Sequence, residues 1–236
     1  MESKIVKDNH GNERFRTDGM TMMPFGPPVY QGNMRSDIIH ELQTVIDQVR
    51  GNDERDMGDR LAGRVKEQYE ISDLVSQSVY DHIFQHLQNY IEGIEGTTGY
   101  PADELKNGYN YGVDALWANV QKEREYQPPH MHDGMFSFVI YTQNDITHAE
   151  ALNNEFDKKK EGQSKLGGMF ELRFGEANFM NFTQFNKYPQ QGDIIMFPSW
   201  VTHHVNSFYK EDAERISVAG NIQNMFPQEM ENPYDE

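Results

Sequence analysis

Residues 192–221 read GDIIMFPSWVTHHVNSFYKEDAERISVAGN. Asp193–Phe197, His203–Phe208 and Arg215–Asn221 are short runs rich in β-branched and aromatic residues, split by Pro198-Ser199-Trp200 and by the polar stretch Tyr209–Glu214. Runs of that length, punctuated in that way, predict strands. Side chains on a strand alternate between faces, so Val201, His203 and Val205 share one face while Thr202, His204 and Asn206 share the other. The apolar set should face the interior, which places His203 inside and His204 outside. In the next run Arg215 and Ser217 share one face, and Ile216 and Val218 the other. An arginine inside a barrel beside a hydroxyl needs a strong anionic partner. Its planar fork suits a carboxylate bound two-pronged, with Ser217 adding one hydrogen bond. The alternative is an ordinary salt bridge to one of the chain's 38 acidic residues.

The same pattern extends upstream to about Tyr109. Further candidate strands are Leu116–Val120, Met135–Tyr141, Met169–Phe174 and Phe179–Phe185, separated by glycines at 108, 112, 134, 167, 168, 175 and 192. Among them lies Pro129-His130-Met131-His132-Asp133. A His-x-His step on a strand sets both imidazoles on one face, roughly 6.5–7 Å apart at the backbone. Two ring nitrogens can then converge on one metal at about 2.0–2.3 Å. His203 is the candidate third ligand. A single histidine is more often a hydrogen-bonded core or surface residue. Two histidine groups on strands of one small domain shift the balance toward a metal.

The first half of the chain reads as helix. Ile38, Ile39, Leu42, Val45, Ile46 and Val49 recur at three- and four-residue steps, with Ser36 as the expected N-cap and Gly51 as the stop. A second stripe over 72–94 carries Leu74, Val75, Val79, Ile83, Leu87, Tyr90, Ile91 and Ile94, with Gly93 and Gly96 expected to end it. Both helices are amphipathic and need a partner surface. A helical block at 36–96 followed by seven or eight short strands over 108–225 predicts an α+β protein with an antiparallel barrel or sandwich. Residues 1–21 read as a polar arm, 22–225 as one domain and 226–236 as an acidic tail; prolines 24, 27 and 28 make 22–30 an extended lead-in. The polar insert 143–166, with Lys158-Lys159-Lys160 at its middle, is either a lid over the metal mouth or a solvated spacer.

Composition narrows the function. With 21 basic and 38 acidic residues the net charge is −17. That surface repels phosphate backbones and anionic lipid, so neither nucleic acid nor membrane is an expected partner. No apolar run approaches the roughly 20 residues of a membrane span and no signal peptide is visible, so a cytoplasmic protein is expected, in the host cytoplasm if phage-encoded. There is no cysteine. This excludes disulfides, zinc ribbons and a thiol nucleophile, and leaves histidine and carboxylate to hold any metal.

Taken in order, Trp117-x-Asn119-Val120, Pro129-His130-x-His132, Ser137–Tyr141, Gly192–Trp200, His203-x-Val205 and Arg215-Ile-Ser-Val-x-x-Asn221 resemble the iron(II)/2-oxoglutarate-dependent oxygenases. The likeness is best to a prolyl-hydroxylase-like branch common in marine bacteria and their phages. It runs from about Pro24 to Gln223 and is strongest over 117–221; Leu61-Ala62-Gly63 followed by Glu67 matches a segment upstream of the barrel. The resemblance implies a double-stranded β-helix (jelly-roll) core with N-terminal helices packed on one sheet. It implies iron(II), 2-oxoglutarate as cosubstrate and O₂, with succinate and CO₂ released as a substrate is hydroxylated. His130 and His203 match the family's two histidines. His132 stands where the family usually has a carboxylate, so the third ligand is either His132 or, through a bulge, Asp133. Arg215 matches the partner of the far carboxylate of 2-oxoglutarate and Ser217 its hydroxyl helper. Asn119 and Tyr141 are further candidate cosubstrate contacts, though a core tyrosine reads the same way. Phe136, Phe138 and Phe197 are candidate walls of a dry cavity. The substrate, peptide or small molecule, is open, as is a homodimer. Two rival readings are a His-ligated zinc hydrolase, which leaves Arg215 and Ser217 unused, and a non-catalytic jelly-roll binding module that retains a metal.

Overall fold

Alternation along the C-terminal strands sorts them into two facing antiparallel sheets. The computed structural model describes residues 4–7, 13–16, 19–58, 61, 63–151, 166–179 and 182–225. In chain order the strands are β1 (Lys4–Lys7), β2 (Glu13–Arg16), β3 (Met20–Met22), β4 (Val29–Asn33), β5 (Glu67–Glu70), β6 (Tyr111–Gln121), β7 (Gln127–His130), β8 (Phe136–Asn144), β9 (Phe170–Arg173), β10 (Gln184–Lys187), β11 (Asp193–Pro198), β12 (Thr202–Val205) and β13 (Arg215–Asn224). The helices are α1 (Ser36–Val49), α2 (Gln77–Thr98), α3 (Ala102–Asn107) and α4 (His148–Ala151). Seven strands pair in the order β3-β4-β11-β8-β13-β6-β5, and four in the order β10-β9-β12-β7. The two sheets are the halves of a double-stranded β-helix, a jelly-roll.

The seven-stranded sheet has two different faces. Its outer face carries Leu116, Ala118, Val120, Ile140, Ile216, Val218 and Ile222, which form one core with the apolar stripes of α1 and α2. Every stripe residue expected of α1 is buried there. Its inner face meets Phe170 and Leu172 of the smaller sheet through Val139, Tyr141, Ile195 and Phe197. Past the end of α1, Arg50 forks onto Glu214 at 2.7 and 3.0 Å, which ties the helical layer to the residue before Arg215.

Several expected boundaries shift, each for a physical reason. Helix α2 starts at Gln77 rather than Ser72, because Ser72 is bound to the sheet: its Oγ accepts the Leu116 N–H at 2.8 Å and its carbonyl accepts from Tyr80 Oη at 2.7 Å. Gly93 and Gly96 do not end it. A Cβ on Gly93 would lie 1.9 Å from Thr21 Oγ1, so this glycine serves a close approach to β3 rather than a stop. The helix ends at Gly99, whose φ of 74° is the left-handed cap that glycine favours. Ser36 opens α1 while Arg35 occupies the N-cap, donating its backbone N–H to His82 Nε2 at 3.2 Å.

The polar arm contains a hairpin, β1 against β2. The stretch Phe179–Phe185 is strand only from Gln184; Phe179 and Phe182 are 98% and 81% exposed in the β9–β10 connection. Strand β7, Gln-Pro-Pro-His, is not recognisable as a strand by composition. It lies on the edge of its sheet, where proline's missing donor is tolerated. The acidic tail 226–236 and residues 152–165 of the insert lie outside the described residues. Among the described residues no helix is long and apolar enough to cross a membrane.

Candidate functional site

Strand register brings the histidines together. His203 of β12 pairs directly with His130 of the edge strand β7. His132 lies just beyond that strand, where its backbone N–H donates to the Ser199 carbonyl at 3.0 Å. The chain thereby folds back over the cleft. The ring centroids of His130 and His203 are 4.2 Å apart, those of His130 and His132 4.9 Å, and those of His132 and His203 5.1 Å. One ligand atom from each lies within 4.8 Å of the others.

The hydrogen bonds of two rings also set their tautomers. His130 Nδ1 is 2.7 Å from the Pro128 carbonyl, and His203 Nδ1 is 3.1 Å from the Val201 carbonyl. A carbonyl only accepts, so each Nδ1 carries the proton and each Nε2 presents a lone pair. This is the outer support that metal-binding imidazoles ordinarily have. Burial is the main cause that lowers the pKa of all three. His132 falls to about 4, with His130 adding to the effect and Asp133 opposing it; His203 falls well below the ordinary value. Three neutral imidazoles with converging lone pairs could hold a divalent transition metal with positions left open.

The other residues divide as alternation predicts. His204 points to the far face of β12, its Nε2 3.2 Å from Glu171 Oε2. Asp133 is exposed and stands apart from the three-histidine group. Phe197 packs on the His203 ring at 4.8 Å, and Trp117 on His132 at 5.8 Å. Phe138 borders the cleft but its ring belongs to the helix-side core. Phe136 is not a wall at all. It faces the helices and stacks edge-on against Tyr90 at 5.3 Å, because even-numbered residues of β8 point outward.

From the histidines the cleft runs along the inner face of the large sheet. Cross-strand register places Asn119 and Tyr141 on either side of Ser217, and Gln121 beside Arg215. Asn119 Oδ1 accepts from Gln68 Nε2 at 2.7 Å and from Gln127 Nε2 at 3.1 Å. Its own NH₂ is thereby left to face elsewhere. The Tyr141 hydroxyl is buried with no hydrogen-bond partner among the described residues. Burial pushes its pKa up and nearby Arg215 opposes that. Two residues from Ser217 on β13, Arg215 is 2% exposed. Its Nε and Nη2 donate to Gln121 Oε1 at 3.1 and 2.5 Å, Nη2 to the Asn206 carbonyl at 3.0 Å, and Nη1 to the Gly168 carbonyl. Among the described residues no carboxylate pairs with it. Burial lowers its pKa, with Tyr141 and Tyr188 opposing, yet a guanidinium keeps its proton. The cleft therefore holds the metal-ligand set, and two residues along β13 from the cleft-lining Ser217 lies a buried cation with no carboxylate partner among the described residues.

The described flanks of the insert root at the Arg215 end. Ala151 joins Ile146, Phe208 and Ala213 in a small core there, and Gly168 caps the arginine. The metal end is instead bordered by the β9–β10 connection, where Phe174 stacks on Trp200 at 5.3 Å.

Comparison with known proteins agrees with this geometry. Residues 115–221 match the family model described as "Putative 2OG-Fe(II) oxygenase". The matched segment, which contains all three histidines and Arg215, is similar to the 2OG-Fe(II) oxygenases. The donor set described above fits the iron(II) and 2-oxoglutarate named by that family: three neutral imidazoles for the metal and, for a dianionic cosubstrate, a buried guanidinium with no carboxylate partner among the described residues. No curated protein matches the chain. Among solved structures, a Pseudomonas putida prolyl-4-hydroxylase aligns with a TM-score of 0.52 at 12% identity, covering 89% of this chain and 94% of that one. A prolyl hydroxylase from Trichoplax adhaerens, in complex with a hypoxia inducible factor peptide fragment, aligns at 0.51 and 13% identity, covering 88% and 84%. The non-heme carbocyclase SnoK from nogalamycin biosynthesis aligns at 0.52 and 8% identity, covering 83% and 79%. These likenesses concern the fold.

Sequence reasoning missed the amide groups that orient the site. Gln68, Gln121 and Gln127 carry no motif. The available signal was that Trp117, Asn119 and Gln121 recur at every second residue of one strand.

Proposed function

We propose that the protein is an oxygenase that hydroxylates a peptide or small-molecule substrate R–H according to R–H + 2-oxoglutarate + O₂ → R–OH + succinate + CO₂. His130, His132 and His203 hold the iron(II), each through Nε2 or its equivalent lone pair. Bound iron(II) supplies the O₂-dependent oxidation that splits 2-oxoglutarate. Arg215 binds the far carboxylate of the cosubstrate, Ser217 and Tyr141 donate hydroxyl hydrogen bonds to it, and the NH₂ of Asn119 orients its chain. Phe197 and Phe170 keep water from the His203 side of the cleft. The single observation that carries this reading is that three converging imidazoles line a cleft beside Ser217, two residues from a buried arginine with no carboxylate partner among the described residues.

At TM-scores of 0.51 and 0.52, one neighbour is a prolyl hydroxylase in complex with a peptide fragment and another is a carbocyclase from nogalamycin biosynthesis. Fold alone does not choose between them. The direct test is to reconstitute the purified chain with iron(II) and follow succinate formation from 2-oxoglutarate. Turnover that depends on iron and vanishes in His130→Ala and His203→Ala is expected. A protein that retains zinc, cleaves esters and leaves 2-oxoglutarate intact would overturn it.

A further inference from the structure

Buried arginines are normally matched by a carboxylate, because an ion pair offsets part of the loss of hydration. Arg215 is instead gripped by neutral oxygens. The strongest grip is Gln121, whose Oε1 accepts from both Nε and Nη2. The amide of Gln121 is itself oriented. Its Nε2 donates to the Glu125 carbonyl at 2.6 Å and lies 3.4 Å from the Asn206 carbonyl. With its NH₂ committed to carbonyls, Gln121 must turn its oxygen to the arginine. The side chain is 4% exposed, so water does not substitute for these contacts. A glutamate here would have nearly the same shape and would grip the fork more tightly. It would also cancel the charge.

We infer that Gln121 is a positioning residue that fixes the Arg215 guanidinium without neutralising it, and so makes the cleft select 2-oxo acids that end in a second carboxylate. This rests on the reading that Arg215 faces the far carboxylate of 2-oxoglutarate. It adds a residue and a reason for selectivity: the strand partner of the arginine is an amide, so that the cosubstrate supplies the counter-charge that no described residue does. The adjoining groups fit. Tyr141 and Tyr188 bring hydroxyls rather than anions, and Phe208 places its ring 5.7 Å from the guanidinium carbon.

The test compares two ligands of equal chain length, 2-oxoglutarate and 2-oxovalerate, which lacks the far carboxylate. Affinities are measured by calorimetry on the iron(II)-loaded protein without oxygen. Wild type should prefer 2-oxoglutarate by on the order of a hundredfold or more. In Gln121→Glu that preference should fall at least tenfold, while 2-oxovalerate and iron affinities stay as in wild type. A merely structural role for Gln121 would weaken both ligands together, and that result overturns the inference. If Gln121→Glu does not fold, because its carboxylate meets the Glu125 and Asn206 carbonyls, Gln121→Met carries the test. It should lower the preference several-fold through loss of aim, and an unchanged preference overturns the inference. Arg215→Met separates the two levels. Loss of preference in Arg215→Met with none in the Gln121 variants defeats the inference alone; full preference in Arg215→Met defeats the reading of the site as well.

Discussion

The two faces of the seven-stranded sheet are made by the same strands and do opposite things. On β13, Ile216, Val218 and Ile222 face the helices and are buried among aliphatic side chains, whereas Ser217, Ala219 and Asn221 line the cleft and Arg215 lies buried two residues from Ser217. On β6, Leu116, Ala118 and Val120 alternate with Trp117, Asn119 and Gln121 in the same way. A one-residue step thus separates the part of the molecule that holds it together from the part that binds. The outer face works by apolar area and close packing. The inner face accepts buried amides, a hydroxyl without a partner and an unpaired cation, each of which costs stability until a ligand satisfies it. Stability and function should therefore respond to different residues of one strand.

The largest expected effect is on the inner face. Arg215→Ala should weaken 2-oxoglutarate binding by roughly a hundred- to several thousand-fold, the consequence of about 3–5 kcal/mol for breaking one side of a buried charge pair. Iron affinity should stay within a few-fold. Because no described residue offers this buried cation a counter-charge, the melting temperature should fall little or rise. Calorimetric titration beside thermal unfolding checks both halves. A large loss of stability with unchanged 2-oxoglutarate affinity would erase the division between the faces.

Leu42→Ala breaks the other face. Leu42 is fully buried in α1 against the sheet. A buried leucine truncated to alanine costs about 2–5 kcal/mol, more where the cavity cannot collapse. Urea unfolding should show that loss, while the folded fraction binds 2-oxoglutarate as wild type does. A tenfold change in affinity would mean that the helix layer reaches into the cleft.

These two faces were not equally legible in the sequence. The aliphatic stripes announce themselves by period, and alternation places His203, Arg215 and Ser217; the His-x-His step does not act through alternation, because β7 ends at His130 and His132 lies beyond it. What period does not convey is which neutral polar residue supports which functional one. Gln121 reads as an ordinary strand-end residue until register sets it beside Arg215. His82 and His86 escape notice for a different reason. They occupy stripe positions of α2, yet an imidazole counts as polar in any hydropathy pattern. Gly93 reads as a helix stop because its real cause, Thr21, is 72 residues away in sequence.

His86 gives the helix layer a pH limit. It is fully buried, with Nδ1 2.8 Å from Tyr30 Oη, and burial, aided by His82, pushes its pKa down to about 3. The unfolded chain would titrate near the ordinary 6.5. Between these values the unfolded state binds the extra proton, so stability rises with pH and its contribution is complete above about 6.5. It is lost as pH falls toward 3, at up to about 1.4 kcal/mol per pH unit. Wild type should lose stability faster than His86→Gln over pH 6 to 4, measured by denaturant unfolding at each pH. Parallel curves would remove His86 from the acid limb.

The smallest effects make the sharpest contrast, because they come from adjacent residues. Ser217 lies on the cleft face between Asn119 and Tyr141, and Ile216, 4% exposed, lies on the helix face beside Val120. Ser217→Ala removes one hydroxyl from the proposed carboxylate site and no packing. A hydrogen bond to a charged group is worth about 1.5–3 kcal/mol, so 2-oxoglutarate affinity should drop roughly ten- to a hundredfold. Arg215 still carries the main attraction, which places the loss at the lower end of that range. Ile216→Val removes one methylene from the helix-side core, about 0.5–1.5 kcal/mol of stability, and touches no ligand. Each variant should move one measurement and leave the other still. If Ser217→Ala lowers the melting temperature as much as Ile216→Val while both bind 2-oxoglutarate like wild type, the hydroxyl is a packing group and the cosubstrate's far end lies elsewhere in the cleft. If both variants move both measurements, β13 shifts as a unit. The separation of duties would then belong to the strand rather than to its faces.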